Sequence, residues 1–199
     1  TSEIYAGTLK HFGLAIPTPE DTPLAVTDLS HPRTSYMLSK IYGEALCNQS
    51  CVPFTIVRPH NIYGPRMGMS HVIPELCKKA RSISQNGELE VYSVDHKRTF
   101  CYVSDAVEEL IRMIETKKCV DQTLNLGNQS PEIKIGYLAK VILKVIERED
   151  LSLKAMPATP GSPLRRGPDM SKTNILTKFE AHVGIEEGVA KTYAWYISN

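Results

Sequence analysis

The sequence lacks both a strong net charge and a long apolar segment. Its 199 residues contain 23 Lys and Arg against 22 Asp and Glu, a formal net charge of +1. We therefore expect neither nucleic acid nor an anionic membrane surface as a partner. No apolar run approaches the roughly 18 residues of a transmembrane helix, and no basic-then-apolar signal segment opens the chain. These absences favour a cytoplasmic protein in which any anion is bound by a local cluster of basic side chains.

Metal-binding cysteine patterns are also missing. The five cysteines, an odd number, include no CxxC pair and no histidine at zinc-finger spacing. Cys47 and Cys51 are four residues apart and could share a helix face, but no third or fourth ligand is near them. We interpret both as packing residues, and we expect reduced thiols and no metal site.

What the sequence does contain is an ordinary globular composition, 42% hydrophobic and 23% charged, with strand patterns that alternate with helix patterns. The apolar periodicity predicts helices over 35–49, 71–84 and about 138–146, and two short helices at the end of the chain. Short apolar runs predict strands over 53–57, 89–92, 99–103, 123–126 and 151–156, the first of them buried on both faces. This alternation indicates α/β architecture.

The remaining segments are predicted from their local residue types. Residues 1–5 are typical of the end of a strand, and glycines and prolines predict a long loop over 6–33. A second loop is predicted over 157–170, where Pro160 and Gly161 precede Arg165 and Arg166. Asp105 and Glu108 resemble a capping box at the start of a further helix.

The predicted helix at 35–49 carries the strongest chemical signal. Tyr36, Lys40 and Glu44 form one polar stripe, whereas an apolar face is formed by Leu38, Ile41, Ala45 and Leu46. A free tyrosine has a pKa of about 10, and a nearby ammonium lowers it by stabilising the phenolate. Tyr36 could then take a proton from a sugar hydroxyl while a cofactor takes the hydride.

Seven motifs follow one another along the chain, and together they carry a family resemblance. They are Thr1-Ser2-Glu3-Ile4-Tyr5, Pro17-Thr18-Pro19-Glu20, Tyr36-x3-Lys40 with Glu44, the run from Arg58 to Met67, Arg98 to Asp105, Asn125-Leu126-Gly127, and Arg166-Gly167-Pro168-Asp169. This succession resembles the extended short-chain dehydrogenase/reductase family of NAD-dependent nucleotide-sugar epimerases, dehydratases and decarboxylases. The resemblance covers essentially the whole chain.

The resemblance implies a role for each matching residue. It implies that Tyr36 is the catalytic tyrosine, that Lys40 binds the nicotinamide ribose of NAD or NADP, and that Thr1 bonds the reacting sugar oxygen. Pro59 matches a cofactor-binding position. Substrate diphosphate contacts are implied for Asn61, Arg98 and Arg166, with Arg165 as an alternative to Arg166. Arginine forks suit a diphosphate, but each arginine, Arg66 included, could also be a solvated surface charge.

Glu3 bears on the type of reaction. If residues 1–3 are extended, Thr1 and Glu3 face the same side, so a carboxylate accompanies the hydroxyl at the reacting sugar. The resemblance to members with Thr-Ser-Glu implies dehydration or decarboxylation; in a dehydration, Glu3 would remove the C5 proton after C4 oxidation. A solvated charge at a strand end is the alternative interpretation of Glu3, whereas His60 is interpreted as structural.

The glycine-rich turn with which this family binds NAD does not occur in the 199 residues. We therefore expect a fragment: an incomplete Rossmann-type doubly wound sheet plus a smaller C-terminal α/β substrate-binding domain. Residues 1–66 would complete the NAD-binding domain. Residues 67–199 would mainly bind the nucleotide sugar, with a strand and helix at about 99–116 returning to the first domain. Family analogy further implies a homodimer.

Two functions remain open on this evidence. The first is the C-terminal part of an NAD-dependent nucleotide-sugar epimerase or dehydratase, which oxidises C4 of the sugar and returns the hydride. The second is a binding or regulatory module that keeps the nucleotide-sugar surface without redox catalysis. The sequence does not distinguish among nucleotides, sugars, or epimerisation, dehydration and decarboxylation.

Overall fold

A computed structural model describes residues 1–159 and 162–199, and its strands form small, mainly parallel sheets. Three parallel pairs join β1 (Thr55–Pro59) to β6 (Gln122–Leu126), β2 (Ile62–Tyr63) to β5 (Cys101–Tyr102), and β3 (Glu88–Tyr92) to β8 (Ser152–Met156). In a fourth sheet, β4 (Lys97–Arg98) lies between β9 (Arg165–Arg166), which is parallel to it, and β7 (Ile133–Lys134), which is antiparallel. The α/β fold class predicted from the sequence is confirmed.

Helices connect these strands. Their bounds are α1 (Ala6–Phe12), α2 (Thr34–Asn48), α3 (Val72–Ser82), α4 (Val103–Glu115), α5 (Ile135–Val145), α6 (Ser171–Thr177) and α7 (Ile185–Ser198). Those with strong apolar periodicity lie where the sequence predicts them, because in α5, for example, Leu138, Ala139 and Ile142 all face the core. Across the described residues, none of the helices combines the length and apolar character needed to cross a membrane.

Two apolar clusters hold the elements together. The larger packs α3, α5 and α7 around β3 through residues such as Ile73, Leu89 and Val189. The smaller packs α4 against β6 through Met113 and Leu124. Each such buried side chain contributes about 2 kcal/mol of hydrophobic stabilisation, so β6 is anchored firmly where it meets the loop that follows Leu126.

The five cysteines are free thiols with different surroundings. Cys77, Cys101 and Cys119 are buried in the two clusters, and Cys47 is half-buried on α2. Cys51 is exposed, so its interpretation as a packing residue is wrong. It follows the end of α2, where the chain turns over the surface.

The N-terminal segment differs most from expectation. Ser2–Tyr5 is a 3-10 helix and not the end of a strand, because Thr1 Oγ1 accepts the Glu3 N–H at 3.4 Å and Thr1 O accepts the Ile4 N–H at 3.3 Å. Ile4 and Tyr5 are both buried, whereas successive residues of a strand point to opposite faces. The premise that residues 1–3 are extended is therefore wrong.

The predicted loop over 6–33 also begins with a helix, α1, which continues directly from the 3-10 turn. Gly7 makes this packing possible, because any side chain there would overlap the backbone carbonyl of Ala25. The rest of the segment crosses back over α1, and Thr8 Oγ1 donates to Pro23 O at 2.5 Å. Glycine in this stretch marks a close approach of two segments and not the absence of structure.

Helix α2 and strand β1 are less buried than predicted. Met37 is buried on α2, but Leu38, Ala45 and Leu46 of the predicted apolar face are exposed. In the described residues β1 pairs with β6 alone, and its side chains alternate between buried and half-buried positions. The prediction that β1 is buried on both faces is therefore wrong.

Three local predictions farther along the chain need correction. The capping box is wrong, because α4 begins at Val103 and Asp105 lies inside its first turn, where the carboxylate accepts the His182 and Val183 N–H groups at 2.9 and 2.8 Å. The strand predicted over 99–103 is limited to Cys101–Tyr102 because the helix starts so early. The loop predicted over 157–170 contains β9; Pro160 and Gly161 lie outside the described residues.

A second carboxylate lies one turn along α4. Glu109 is 1% exposed, its Oε1 has no hydrogen-bond partner among the described residues, and the backbone N–H of Gly127, just after β6, is close to the carboxyl group. The pKa of Glu109 is raised to about 8, mainly by burial; the Gly127 N–H acts against this shift, and the Asp105 charge adds to it. Glu109 is therefore protonated at neutral pH and connects α4 to the chain after β6.

Candidate functional site

A cleft of about 1230 Å³ opens between the N-terminal segment, the start of α2 and the β4–β9 strands. Its polar lining includes Glu3, Arg33, Thr34, Asn61, Arg98 and Arg166. Residues of α3 and β3 also line it, among them His71, Glu75, Lys79, Glu90 and Tyr92. The structure thus brings four residues of the sequence-derived site, Glu3, Asn61, Arg98 and Arg166, to one cavity.

Arg98 and Arg166 are direct neighbours across two strands. They are register partners in the parallel β4–β9 pair, so Arg166 lies on a strand and not in the loop predicted over 157–170. The pKa of Arg98 is lowered to about 10, mainly by burial and in part by the Arg166 charge. Two guanidinium groups that disfavour each other's charge form a site where a bound anion relieves the repulsion.

Arg98 is also held by the chain that precedes β9. It donates to Lys97 O at 2.7 Å, to Ser162 Oγ at 2.9 Å and to Pro163 O at 2.7 Å. These bonds fix the guanidinium plane at the cleft and attach residues 162–163 to it. Arg165, the alternative to Arg166, points elsewhere, because it forms a fork with Glu132 at 2.9 Å. Arg166 therefore lines the cleft, whereas Arg165 is not among the described residues that line it.

Glu3 lies between two guanidinium groups. Its Oε1 is 3.4 Å from Arg33 and its Oε2 is 3.5 Å from Arg166. Burial lowers the pKa of Arg166; the Glu3 carboxylate opposes this effect, and the Arg33 charge adds to it. Although residues 1–3 are not extended, Glu3 reaches the cleft, and it is not a solvated strand-end charge.

Tyr36 and Lys40 lie together on α2, the helix that also carries the cleft-lining residues Thr34 and Met37. The Lys40 Nζ lies 5.2 Å from the centroid of the Tyr36 ring, and Tyr36 is 48% exposed. Neither is among the described residues that line the cleft. The helical spacing thus brings ammonium and phenol into contact on an accessible face, as the sequence predicts.

Thr1 lies close to the same helix stripe. Its backbone nitrogen lies within electrostatic reach of Lys40, Glu44 and Arg58. The Thr1 hydroxyl accepts the Glu3 N–H. Thr1 therefore stands between the α2 stripe and Glu3.

The other site residues from the sequence differ in position. Asn61 lines the cleft and donates from Nδ2 to Thr99 O at 2.9 Å, which fixes its amide. Pro59 is exposed at the carboxyl end of β1. Arg66 is exposed with a positive φ of 65° and is not among the described cleft residues.

A buried ion pair beneath this region was missed by the sequence reasoning. Arg58 on β1 forms a fork with Glu44 on α2, with distances of 2.9 and 2.6 Å, and also donates to the Tyr5 hydroxyl at 2.6 Å. Burial alone would lower the pKa of Arg58, but its bonds to Glu44 and Tyr5 together raise it. The signal was present: Arg58 interrupts an apolar strand, and Glu44 continues the stripe of Tyr36 and Lys40.

His60 extends the same buried network. It is 1% exposed, and its Nε2 lies 3.0 Å from Asn125 Oδ1, which also accepts from Tyr5 at 3.3 Å. Burial lowers the pKa of His60 to about 3, and the Arg166 and Arg58 charges contribute, so the ring is neutral. This environment agrees with a structural role. Among the described residues, no group of three His, Cys, Asp or Glu side chains could hold a metal ion.

Comparison with known proteins gives one family. The profile of the NAD dependent epimerase/dehydratase family matches residues 2–127. The chain is 30% identical to UDP-glucuronic acid decarboxylase 6 of Arabidopsis thaliana over 95% of the chain and 53% of that relative. It is also 30% identical to a UDP-N-acetyl-alpha-D-glucosaminuronate decarboxylase of Bacillus cytotoxicus, over 97% of the chain and 63% of the relative.

A solved structure shows the same fold. The UDP-N-acetylglucosamine 4-epimerase of Methanobrevibacter ruminantium superposes with a TM-score of 0.79 at 19% identity, over 100% of this chain and 61% of that one. The chain therefore spans 53 to 63% of the length of these three proteins.

Proposed function

This chain belongs to the NAD dependent epimerase/dehydratase family, and from that premise we propose that it provides the nucleotide-sugar cleft and the tyrosine–lysine pair of an NAD-dependent enzyme that modifies a nucleotide sugar. One observation carries the proposal. Glu3, Asn61, Arg98 and Arg166 share one cleft, and its lining includes Thr34 and Met37 of α2, the helix that carries Tyr36 and Lys40.

The cleft suits a nucleoside diphosphate sugar. A diphosphate carries two negative charges, and the adjacent forks of Arg98 and Arg166 offer donors for them. The Asn61 amide borders the same space. Because burial disfavours the charged form of both arginines, neutralisation by a bound anion is favourable at this point.

Tyr36 and Lys40 suit the nicotinamide end of a dinucleotide, since phenol and ammonium are accessible on one helix face and Pro59 is exposed at the end of β1. NAD, when bound, accepts hydride from C4 of the sugar and returns it later. Tyr36 takes the hydroxyl proton while Lys40 stabilises the phenolate, and the Thr1 hydroxyl orients the reacting oxygen.

Glu3 is proposed as the acid or base at the carbon next to the oxidised one. The carboxylate is held on both oxygens, so its position relative to a bound sugar is defined. Such a group serves dehydration, where a C5 proton leaves, or decarboxylation, where a proton is added after loss of carbon dioxide. The names of the two decarboxylase relatives support decarboxylation as a candidate reaction.

Three further statements are proposals about the whole protein. Residues 1–66, with a strand and helix at about 99–116, form the part that meets NAD, and 67–199 otherwise bind the sugar nucleotide. A homodimer is supported by the exposed apolar residues Tyr42 and Leu46 on α2. A cytoplasmic location is supported by five free thiols.

The test is incubation with excess NAD and a panel of nucleotide sugars, with products read by mass spectrometry. Loss of water, loss of carbon dioxide or an isomer of unchanged mass identifies the reaction, and Tyr36→Phe should abolish it. The binding module is the second candidate, supported by the absence of a glycine-rich turn in the 199 residues. Binding of the nucleotide sugar without any product would favour that candidate.

A further inference from the structure

Resting on the proposed function, we infer that Asn125 on β6 is a positioning residue, which holds Arg166 at the cleft and keeps it opposite Glu3. The motifs at 17–20 and 125–127 have no role in the proposed reaction so far. Asn125 is 0% exposed and is not among the described residues that line the cleft. Any effect of Asn125 on a bound nucleotide must therefore pass through other residues.

The side-chain amide of Asn125 bonds to segments that are distant in the sequence. Its Nδ2 donates to Thr18 O at 2.9 Å and to Asp169 O at 3.1 Å. Its Oδ1 accepts from the Tyr5 hydroxyl at 3.3 Å and lies 3.0 Å from His60 Nε2. Because both amide hydrogens face carbonyl oxygens, the orientation of the amide is fixed, and the neutral His60 ring donates from Nε2.

The nitrogen side of the Asn125 amide holds the chain that follows Arg166. There, Thr18 N donates to Gly167 O and Asp169 N donates to Thr18 O, both at 2.9 Å. The Asn125 amide bonds to a carbonyl on each side of this contact. Strand β9, which ends at Arg166, has two residues and lies at the edge of its sheet. The bonds just after β9 therefore help to fix the position of Arg166.

The oxygen side of the same amide holds the turn that carries Glu3. Tyr5 ends this 3-10 turn, and its hydroxyl donates to Asn125 and accepts from Arg58. The Glu3 carboxylate lies 3.5 Å from the Arg166 guanidinium, although the two residues come from opposite ends of the chain. Since Asn125 bonds to both segments, one side chain sets both halves of this contact.

Asn125→Asp separates the two sides of the amide. Aspartate keeps one oxygen for the donors beside the Glu3 turn, but its second oxygen faces two carbonyl oxygens and cannot donate to both. The Glu3 turn should stay bonded, whereas the chain after Arg166 is released. Thr173→Val is the matched control, because Thr173 is equally buried and donates to Asn125 O at 2.8 Å, away from both segments.

Calorimetric titration of the 199-residue protein with UDP tests whether Asn125 acts through Arg166. Asn125→Asp and Arg166→Gln should each weaken UDP binding about tenfold, the size of one charge-assisted contact to a diphosphate. The double variant should bind within about twofold of Arg166→Gln, because two changes that remove the same contact are not additive. Thr173→Val should bind within about twofold of wild type.

Amide hydrogen exchange gives a second measurement that needs no ligand. In Asn125→Asp, the Asp169 N–H should exchange about tenfold faster than in wild type, whereas the Ile4 N–H, in the turn with Glu3, should be unchanged. Asn125→Ser introduces no buried carboxyl group and serves if Asn125→Asp does not fold. It should show the same faster exchange at Asp169 and the same loss of UDP affinity.

The outcomes separate this inference from the proposed function. If Asn125→Asp binds UDP like wild type, or if its loss multiplies fully with that of Arg166→Gln, the inference fails while the proposed function stands. An equal loss in Thr173→Val would also overturn it, because general loosening of β6 would then be responsible. If wild type does not bind UDP, the proposed function fails, and unchanged exchange at Asp169 would overturn the inference independently.

Discussion

The buried carboxyl group of Glu109 should make the stability of this protein fall as pH rises. Its pKa is about 8 in the folded chain against an ordinary value of 4.5. Because the folded value is raised, the contribution of Glu109 is fully present below the unfolded value and is lost as pH rises through the folded one. Between the two pKa values, the free energy of unfolding falls by about 1.4 kcal/mol for each pH unit, and above the folded value it falls no further. From about pH 6 to about pH 9, the loss is therefore about 3 kcal/mol.

Glu109→Gln isolates this effect. Glutamine has nearly the shape of protonated glutamate and can accept the Gly127 N–H, but it cannot ionise. We expect urea unfolding, followed by Trp195 fluorescence, to give a free energy of unfolding that falls by about 3 kcal/mol less in Glu109→Gln than in wild type over that pH range. The two proteins should be most alike at the acidic end.

Glu108→Gln provides the matched control. Glu108 is half exposed on the same helix, where it pairs with Arg112 at 2.8 Å, so its removal should shift stability by a few tenths of a kcal/mol at every pH. Parallel pH profiles for wild type and Glu109→Gln would refute the reasoning. They would mean that water or a local rearrangement solvates the Glu109 carboxylate.

Three further predictions concern cofactor binding, packing and the buried ion pair. Calorimetry should find NAD binding by the 199-residue protein weaker than micromolar, because its sequence has no glycine-rich turn, and micromolar binding would contradict this. Gly188→Ala should lower the melting temperature, since the new methyl overlaps the Tyr63 hydroxyl. Gly43→Ala should stabilise the protein by about 1 kcal/mol, because no described atom lies within 4 Å of the added carbon. Equal effects of the two substitutions would refute the packing argument. Arg58→Met should cost about 3 kcal/mol in urea unfolding, and adding Glu44→Leu should recover part of it; a double variant no better than the single one would argue against the pair.

The sequence predicted those elements whose own residues determine them. Helices α3 and α5 and strands β3, β6 and β8 lie close to their expected positions, because an apolar period repeated over several turns, or a compact apolar run, is decided locally. The contact between Tyr36 and Lys40 follows from helix geometry alone. Such features need no knowledge of distant parts of the chain.

The features that were missed depend on distant partners. Helix α1 contains Gly7, where any side chain would overlap the backbone carbonyl of Ala25. Composition does not show this contact. Arg98 and Arg166 are 68 positions apart in the sequence and become neighbours only when β4 pairs with β9. Arg33 contacts Glu3 at 3.4 Å because the 3-10 turn at the N-terminal segment brings the two side chains together. Local pattern gives residue types, whereas tertiary pairing decides which of them meet.

The parallel strand pairs have a consequence for how the chain folds. Thr55 aligns with Gln122, and Glu88 aligns with Ser152, so each ladder joins segments more than sixty positions apart. The entropy of closing such long loops is lost before any interstrand bond forms. Helices α3 and α5, which need only near neighbours, can therefore form early, while sheet assembly sets the pace of folding.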